Sequence, residues 1–456
     1  MKEELADVER YLIGDIWSSG DLWANLETLC ERWPHRFTGS DYDKEAAAFL
    51  AERLSAYGLD SVCLEPFAFN GWQRGKPARL DTLTPSGKAY PCLAIPYSQP
   101  GIVEGEVIDL GMGMPDDFAR AGEAVRGRIC LFEMRTPAYR SPVNAKDKTR
   151  WAVEAGALAA LWRGEREGYL LPTGWAECNR LCPIPAVGLT AEDGSALARL
   201  ARKGSLRIRL QVDCQYGPST SQNVVGELRG QSDPATLLVA GAHHDGHDIS
   251  PAAADNGFGT AVVLEVARAL SRQRQHLPRT LRFIFFSGEE QGLLGSFAHV
   301  RARAAEMGSI RAMINVDDMP GDGLKNGFAL QSHDELVPYF RQMSRDMHWP
   351  FEVDVRMKTA SDHLPFALAG VPAISLDWLN HTPTWGITHT PADTIEKVSF
   401  QNLRLVAMQV ARVLFRLTNE ENWPARRRDR EQMLSAYDAT SRRIALELEA
   451  KSSLDA

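Results

Sequence analysis

No stretch of this 456-residue chain approaches the roughly 18 apolar residues of a membrane span. That absence predicts a protein without membrane-crossing helices. Cysteine is scarce and scattered, seven in all. Only Cys178 and Cys182 lie close together, with no second pair nearby to complete a thiolate zinc site. The opening Met1-Lys2-Glu3-Glu4-Leu5 has early acids and no apolar signal core. With an odd cysteine count, this predicts reduced thiols and a cytoplasmic protein. Positive charge is also short: 51 Lys and Arg stand against 59 Asp and Glu, a formal net charge of −8. No basic face recurs, which argues against a nucleic-acid partner. No internal repeat is visible. What remains is 44% hydrophobic and 24% charged, an ordinary globular composition with length enough for two or three cores.

Periodicity divides the chain. Residues 1–35 are predicted helical, with Leu12, Ile13, Ile16, Leu22, Trp23, Leu26 and Leu29 near helical spacing. Ser40 then caps a helix over Ala46–Tyr57, with Asp43 at the third position of a capping box, and Gly58 ends it. From about Gly75 to Gly217, short β-like runs alternate with Gly, Pro and polar turns, and two helices fall near Asp147–Glu154 and Ala191–Arg202. Beyond Asn223, strand and helix alternate. Strand Leu237–Ala242 leads to helix Asn256–Arg272, Leu281–Phe286 to Leu293–Met307, and Ala312–Val316 to Asp334–Met347. Such alternation predicts an α/β fold, a mainly parallel mixed sheet with helices on both faces. The organisation that follows is one α/β domain in two parts, residues 1–74 and 218–420. A β-rich domain, 75–217, is inserted into it, and 421–456 forms a charged helical tail.

Chemistry gathers at the strand ends of the second half. Leu237–Ala242 closes on His243-His244-Asp245, and a loop then reaches Asp255-Asn256. Asp245, two residues past His243, is placed to fix the second ring nitrogen of a metal-binding histidine. The next strand delivers Ser287-Gly288-Glu289-Glu290, adjacent like charges that a cation would reconcile. The third delivers Asp317 and Asp318, and His389 comes late in the chain. His243, Asp255, Glu290, Asp317 and His389 together suit two zinc ions. With Asp255 bridging, each ion receives one histidine, one terminal carboxylate and the shared one. Two such ions, roughly 3.5–4 Å apart, activate water and steady an oxyanion. Glu289 is left free to move the water's proton to the leaving amine. His244 and His247 are expected to be solvated loop residues, Asp318 a loop acid, and Asp393 an anchor for the His389 loop.

The second half resembles peptidase family M28, zinc aminopeptidases and carboxypeptidases. The likeness is carried by Ala242-His243-His244-Asp245, Ala254-Asp255-Asn256-Gly257-Phe258-Gly259, Ser287-Gly288-Glu289-Glu290-Gln291-Gly292-Leu293-Leu294-Gly295-Ser296, Ile314-Asn315-Val316-Asp317, Ser361-Asp362-His363 and His389-Thr390-Pro391-Ala392-Asp393-Thr394. The resemblance implies a zinc-dependent exopeptidase fold, with His243 and Asp317 on one zinc, Glu290 and His389 on the other, and Asp255 between them. It also implies Glu289 as general acid/base and Asp245 as the residue orienting His243. The insert resembles a protease-associated domain through Gly127-Arg128-Ile129-Cys130-Leu131-Phe132, Ala155-Gly156-Ala157 and Ile184-Pro185-Ala186-Val187.

Thr388 stands where many relatives carry a tyrosine, which makes His363 a candidate oxyanion partner. Asp362, His363 and Trp385 are the expected substrate contacts. The reading that follows is a two-zinc aminopeptidase acting on short peptides. A dipeptidase or carboxypeptidase is the alternative, and a non-catalytic receptor-like protein ranks below both. The charged tail leaves room for a homodimer.

Overall fold

The computed structural model describes residues 2–85, 87–136, 143–317, 326–378 and 386–454. Two compact units form. One comprises Met1–Phe69, Thr220–Thr388 and Asp393–Ala456; the other comprises Asn70–Ser219 with His389–Ala392. In chain order the strands are β1 (Asp60–Arg74), β2 (Arg79–Thr84), β3 (Ala89–Tyr90), β4 (Leu93–Ala94), β5 (Gly101–Asp109), β6 (Ile129–Glu133), β7 (Ala159–Arg163) and β8 (Ala186–Leu189). There follow β9 (Arg207–Val212), β10 (Cys214–Leu228), β11 (Asp233–His243), β12 (Arg279–Phe286), β13 (Ile310–Asn315), β14 (Asn326–Ala329), β15 (Glu352–Asp354) and β16 (Ala373–Trp378).

The first unit is built on a sheet ordered β1-β10-β12-β11-β13-β16-β14-β15. Its centre, β12-β11-β13-β16, is parallel, while β10 and β14 run antiparallel to their neighbours β12 and β16. The central strands read as unbroken apolar runs because both faces are covered. Along β11, Leu238, Ala240 and Ala242 join one core, and Leu237 and Val239 join the opposite one. On β12, Phe283 and Phe285 face the first core, Ile284 and Phe286 the second. Each such buried side chain contributes roughly 1.5–3 kcal/mol. Helix Phe258–Ser271 is apolar nearly all round and buried along nearly its whole length, as that pattern requires. Its two charged residues pair, Arg268 holding Glu265 at 2.7 Å and Asp15 of helix Lys2–Ser18 at 2.7 Å.

The N-terminal helical stretch is two helices, Lys2–Ser18 and Asp21–Arg32, rather than one. Ser40 caps helix Asp41–Ala56, accepting from the Asp43 amide at 3.1 Å. The tail is likewise two helices, Arg430–Ala436 and Ala439–Lys451. Asp438 caps the second, and Met433, Leu434, Ala445 and Leu448 are buried, so the tail is packed rather than solvated.

The second unit's sheet runs β3-β2-β9-β5-β6-β7-β8-β4, with β5 to β8 parallel. Helices Pro115–Ala121, Ala145–Glu154 and Ala191–Lys203 accompany it, and Cys130, Phe132, Ala160 and Trp162 lie in its core. Among the described residues no helix is long and apolar enough to cross a membrane.

Candidate metal centre

Register decides what meets at the C-terminal edge of the first sheet. His243 on β11 lies opposite Phe286 on β12, and Gly241 opposite Asn315 on β13. Strands β11 and β12 therefore end level, β13 ends opposite Gly241, and the segments leaving them, His243–Asp245, Ser287–Glu290 and Val316–Asp317, follow at the same edge. Two groups of possible ligands result. His243, Asp255 and Asp317 each offer an atom within 4.8 Å of the others, and so do His247, Glu290 and His389. The His243 Nε2 lies 3.2 Å from Asp255 Oδ1 and 3.3 Å from Asp317 Oδ1.

The five residues expected as ligands fall into these two groups, His243, Asp255 and Asp317 in the first and Glu290 and His389 in the second. The second group gains His247. The expectation that His244 and His247 are solvated is overturned: they are 0% and 2% exposed. Their loop is drawn inward by Arg36, which is itself 0% exposed. Its guanidinium donates to the carbonyls of His244 (2.9 Å), Pro251 (2.9 Å) and Ala252 (3.2 Å), and to Leu29 and Trp33 on its own side. His244 Nε2 meets Asp43 Oδ1 at 3.2 Å. Asp43 is therefore more than a capping-box acid, since it also accepts from Ser221 (2.6 Å) and Ser287 (2.7 Å).

Asp245 is fully buried, its Oδ1 3.4 Å from His243 Nδ1. Thr38 donates to its other oxygen at 2.9 Å, and the amides of Glu289 and Glu290 approach it at 3.3 Å each. One carboxylate thus sets both the His243 ring and the segment carrying the paired glutamates. Asp393 accepts from the amides of Ala254 (2.7 Å) and Asp255 (3.1 Å), so it anchors the Asp255 turn. Ser361 donates to Asp317, and Asn315 donates to Ser361 at 2.6 Å.

Asp362 and His363 are 0% exposed and belong to neither group; His363 Nε2 lies 3.1 Å from the Lys358 carbonyl. Trp385 and Asp318 lie outside the described residues. Arg36 and Thr38 carried no sequence signal, and Ser361 only its place in Ser361-Asp362-His363.

The electrostatics are those of crowded, desolvated carboxylates. Glu289 is half-buried and outside both groups. Desolvation holds its carboxyl well above the usual range, His243 opposes this, and Asp317, Glu290 and Asp362 add to it. Burial pushes Asp362 up to about 8 and Asp393 up to about 7. His243 is held well above its ordinary value: burial disfavours the imidazolium, but Asp317, Asp245 and Asp255 outweigh it. Cations in the two groups would relieve this crowding. Imidazole and carboxylate oxygen, three donors to a group, are a donor set that zinc accepts.

Comparison with known proteins bears on the same strand ends. Residues 223–414 match the model of Peptidase family M28. The chain is 28% identical over 418 residues to Aminopeptidase YwaD of Bacillus subtilis (strain 168), covering 88% of this chain and 85% of that one. The chain is a metallopeptidase that resembles family M28 over residues 223–414. The peptidase is also 29% identical over 295 residues to Carboxypeptidase Q of Xenopus laevis, 62% of each chain. Among solved structures it is similar to BSAP, a zinc aminopeptidase from Bacillus subtilis, with a TM-score of 0.70 and 24% identity. That match covers 89% of this chain and 97% of the other.

The Asp255-to-Gly259 segment shows how the peptidase's motif works locally. Asn256 Nδ2 donates to the Val316 carbonyl at 2.9 Å, and its Oδ1 accepts from the Gly259 amide at 2.9 Å. A Cβ on Gly259 would lie 2.1 Å from the Val316 oxygen and 2.3 Å from Asn256 Oδ1. Gly259→Ala is expected to cost about 1–3 kcal/mol, the usual penalty of overpacking. Urea unfolding of metal-stripped protein measures it, and a change near zero would mean that helix and strand part there without cost.

Proposed function

We propose that this peptidase is a two-zinc aminopeptidase acting on short peptides, with Glu289 as its general acid/base. The observation that carries the reading is the pair of His/carboxylate groups at the ends of β11 to β13, with a half-buried glutamate beside them and in neither. Bound there, zinc would supply the charge that makes a water nucleophilic at neutral pH and steadies an oxyanion. Glu289 accepts the water's proton and returns it to the departing amine. A raised proton affinity suits that task. Asp245 keeps His243 in one orientation and, through the amides of Glu289 and Glu290, fixes the distance between base and ligand. Asp317 is held by Ser361, which Asn315 holds in turn. Asp362 and His363, expected as substrate contacts, are fully buried.

Relatives named as carboxypeptidases keep a second reading in play, because the ligand groups specify peptide hydrolysis and not which end is cut. Product mass spectrometry of one unblocked tripeptide, incubated with zinc-loaded protein, decides it. Loss of the first residue is expected. Loss of the last would replace the aminopeptidase reading with the carboxypeptidase one. No cleavage of tripeptides or dipeptides would favour a binding protein that has kept the fold.

A further inference from the structure

The loop between His243 and Asp255 holds a histidine that the ligand count from sequence leaves out. His247 is 2% exposed, and its Nε2 lies 3.0 Å from Glu290 Oε2. Its ring stacks against Phe37, centroids 6.3 Å apart at 27°. The backbone before it is pinned, the Gly246 amide donating to the Arg36 carbonyl at 3.0 Å. The Arg36 guanidinium holds the carbonyls on both sides of it. A ring so fixed presents one nitrogen to Glu290 and has little freedom to do otherwise.

Two ligands on a tetrahedral zinc, with bonds of about 2.0–2.2 Å, sit roughly 3.4 Å apart. The His247–Glu290 approach is close to that, and His389 completes a group in which all ligand atoms fall within 4.8 Å.

We propose that His247 is a direct ligand of the second metal ion, with Glu290 and His389. This inference rests on the two-zinc reading above and deepens it. Each group then has three protein ligands, His243, Asp255 and Asp317 in the first and His247, Glu290 and His389 in the second. The two positions become chemically unequal: one imidazole and two carboxylates in the first, two imidazoles and one carboxylate in the second. Imidazole favours zinc, copper and nickel, whereas carboxylate suits manganese and magnesium. The second position is therefore the more zinc-selective, and exchange with manganese begins at the first.

The rival account of the same geometry is a plain hydrogen bond from His247 to Glu290. Gln separates the two, since its amide can donate to Glu290 but is a poor zinc ligand. Full-length protein is stripped with a chelator and titrated with zinc against a chromophoric competitor. The zinc-loaded form is then studied by X-ray absorption. The unmodified chain is expected to bind two zinc ions that share three imidazoles. His247→Ala and His247→Gln are both expected to weaken one site by more than about 100-fold, beyond the 10- to 100-fold typical of residues behind the ligands. Their imidazole count falls to two, and the other site is unchanged.

Rescue by Gln, or a count of two imidazoles in the unmodified chain, overturns the assignment of His247 while leaving the two-zinc reading intact. One zinc per chain overturns the two-zinc reading and, with it, the assignment of His247 to a second ion. No zinc binding overturns both. The measurement on the unmodified chain stands even if neither variant folds.

Discussion

Glu289→Gln is expected to lower kcat by about 10²- to 10⁴-fold, the range of a lost general acid/base. That corresponds to about 3–5 kcal/mol of transition-state stabilisation. Zinc content should match the parent's. The substitution keeps the side chain's shape, and the backbone is held independently by the Glu289 amide on Asp245 at 3.3 Å. What it removes is the proton acceptor. Because Glu289 is in neither ligand group, metal binding and proton transfer separate in this one variant. Steady-state kinetics on a chromogenic amino-acid amide, with metal analysis of the same sample, provides both readouts. Near-parental kcat would remove Glu289 from the mechanism. Loss of zinc along with activity would make it a ligand instead, and the two groups would have to be redrawn.

The glutamate pair was legible in sequence because two adjacent acids after a buried apolar strand have no easy structural explanation. The same holds for His243 and Asp317, each fixed to a strand end by the periodicity before it. Sequence also gave the parallel α/β alternation, since Leu237–Ala242 and Leu281–Phe286 are too uniformly apolar for half-exposed strands.

Where the reading fell short, the cause was distance along the chain. His247 sits in a Gly- and Asp-containing loop, a composition that ordinarily means solvent. Its burial depends on Phe37 and Arg36, more than 200 residues earlier, and on Glu290 beyond the following helix. Asp43 had a sufficient local explanation as a capping-box acid, which concealed Ser221, Ser287 and His244 as its partners. Helix His363–Leu368 and strand β15 are six and three residues long, too short for periodicity to register.

Arg36→Met is expected to destabilise the fold by about 3–5 kcal/mol, the cost of breaking a buried charged network by removing one partner. The guanidinium is fully buried, and burial alone pulls its pKa down. Yet arginine stays charged, and its charge is met by carbonyl oxygens. Two of these, Leu29 and Trp33, lie at the C-terminal end of helix Asp21–Arg32, where a cation is favoured. The other three belong to the loop that begins at His243 and ends at Asp255. Methionine fills much of the volume but leaves buried carbonyls without a donor, at about 1–3 kcal/mol each.

Arg36→Lys should recover only part of the loss. An ammonium has three donors and no planar fork, so it cannot satisfy acceptors spread over helix and loop together. Urea unfolding of the stripped proteins measures the stability term. A zinc titration should show weaker binding, by about 10- to 100-fold, because the loop sets the position of ligands on either side of it. If Arg36→Met matched the parent in both, the loop would have to be ordered by its own packing. The buried arginine would then be a consequence of the fold and not what holds the metal loop in place.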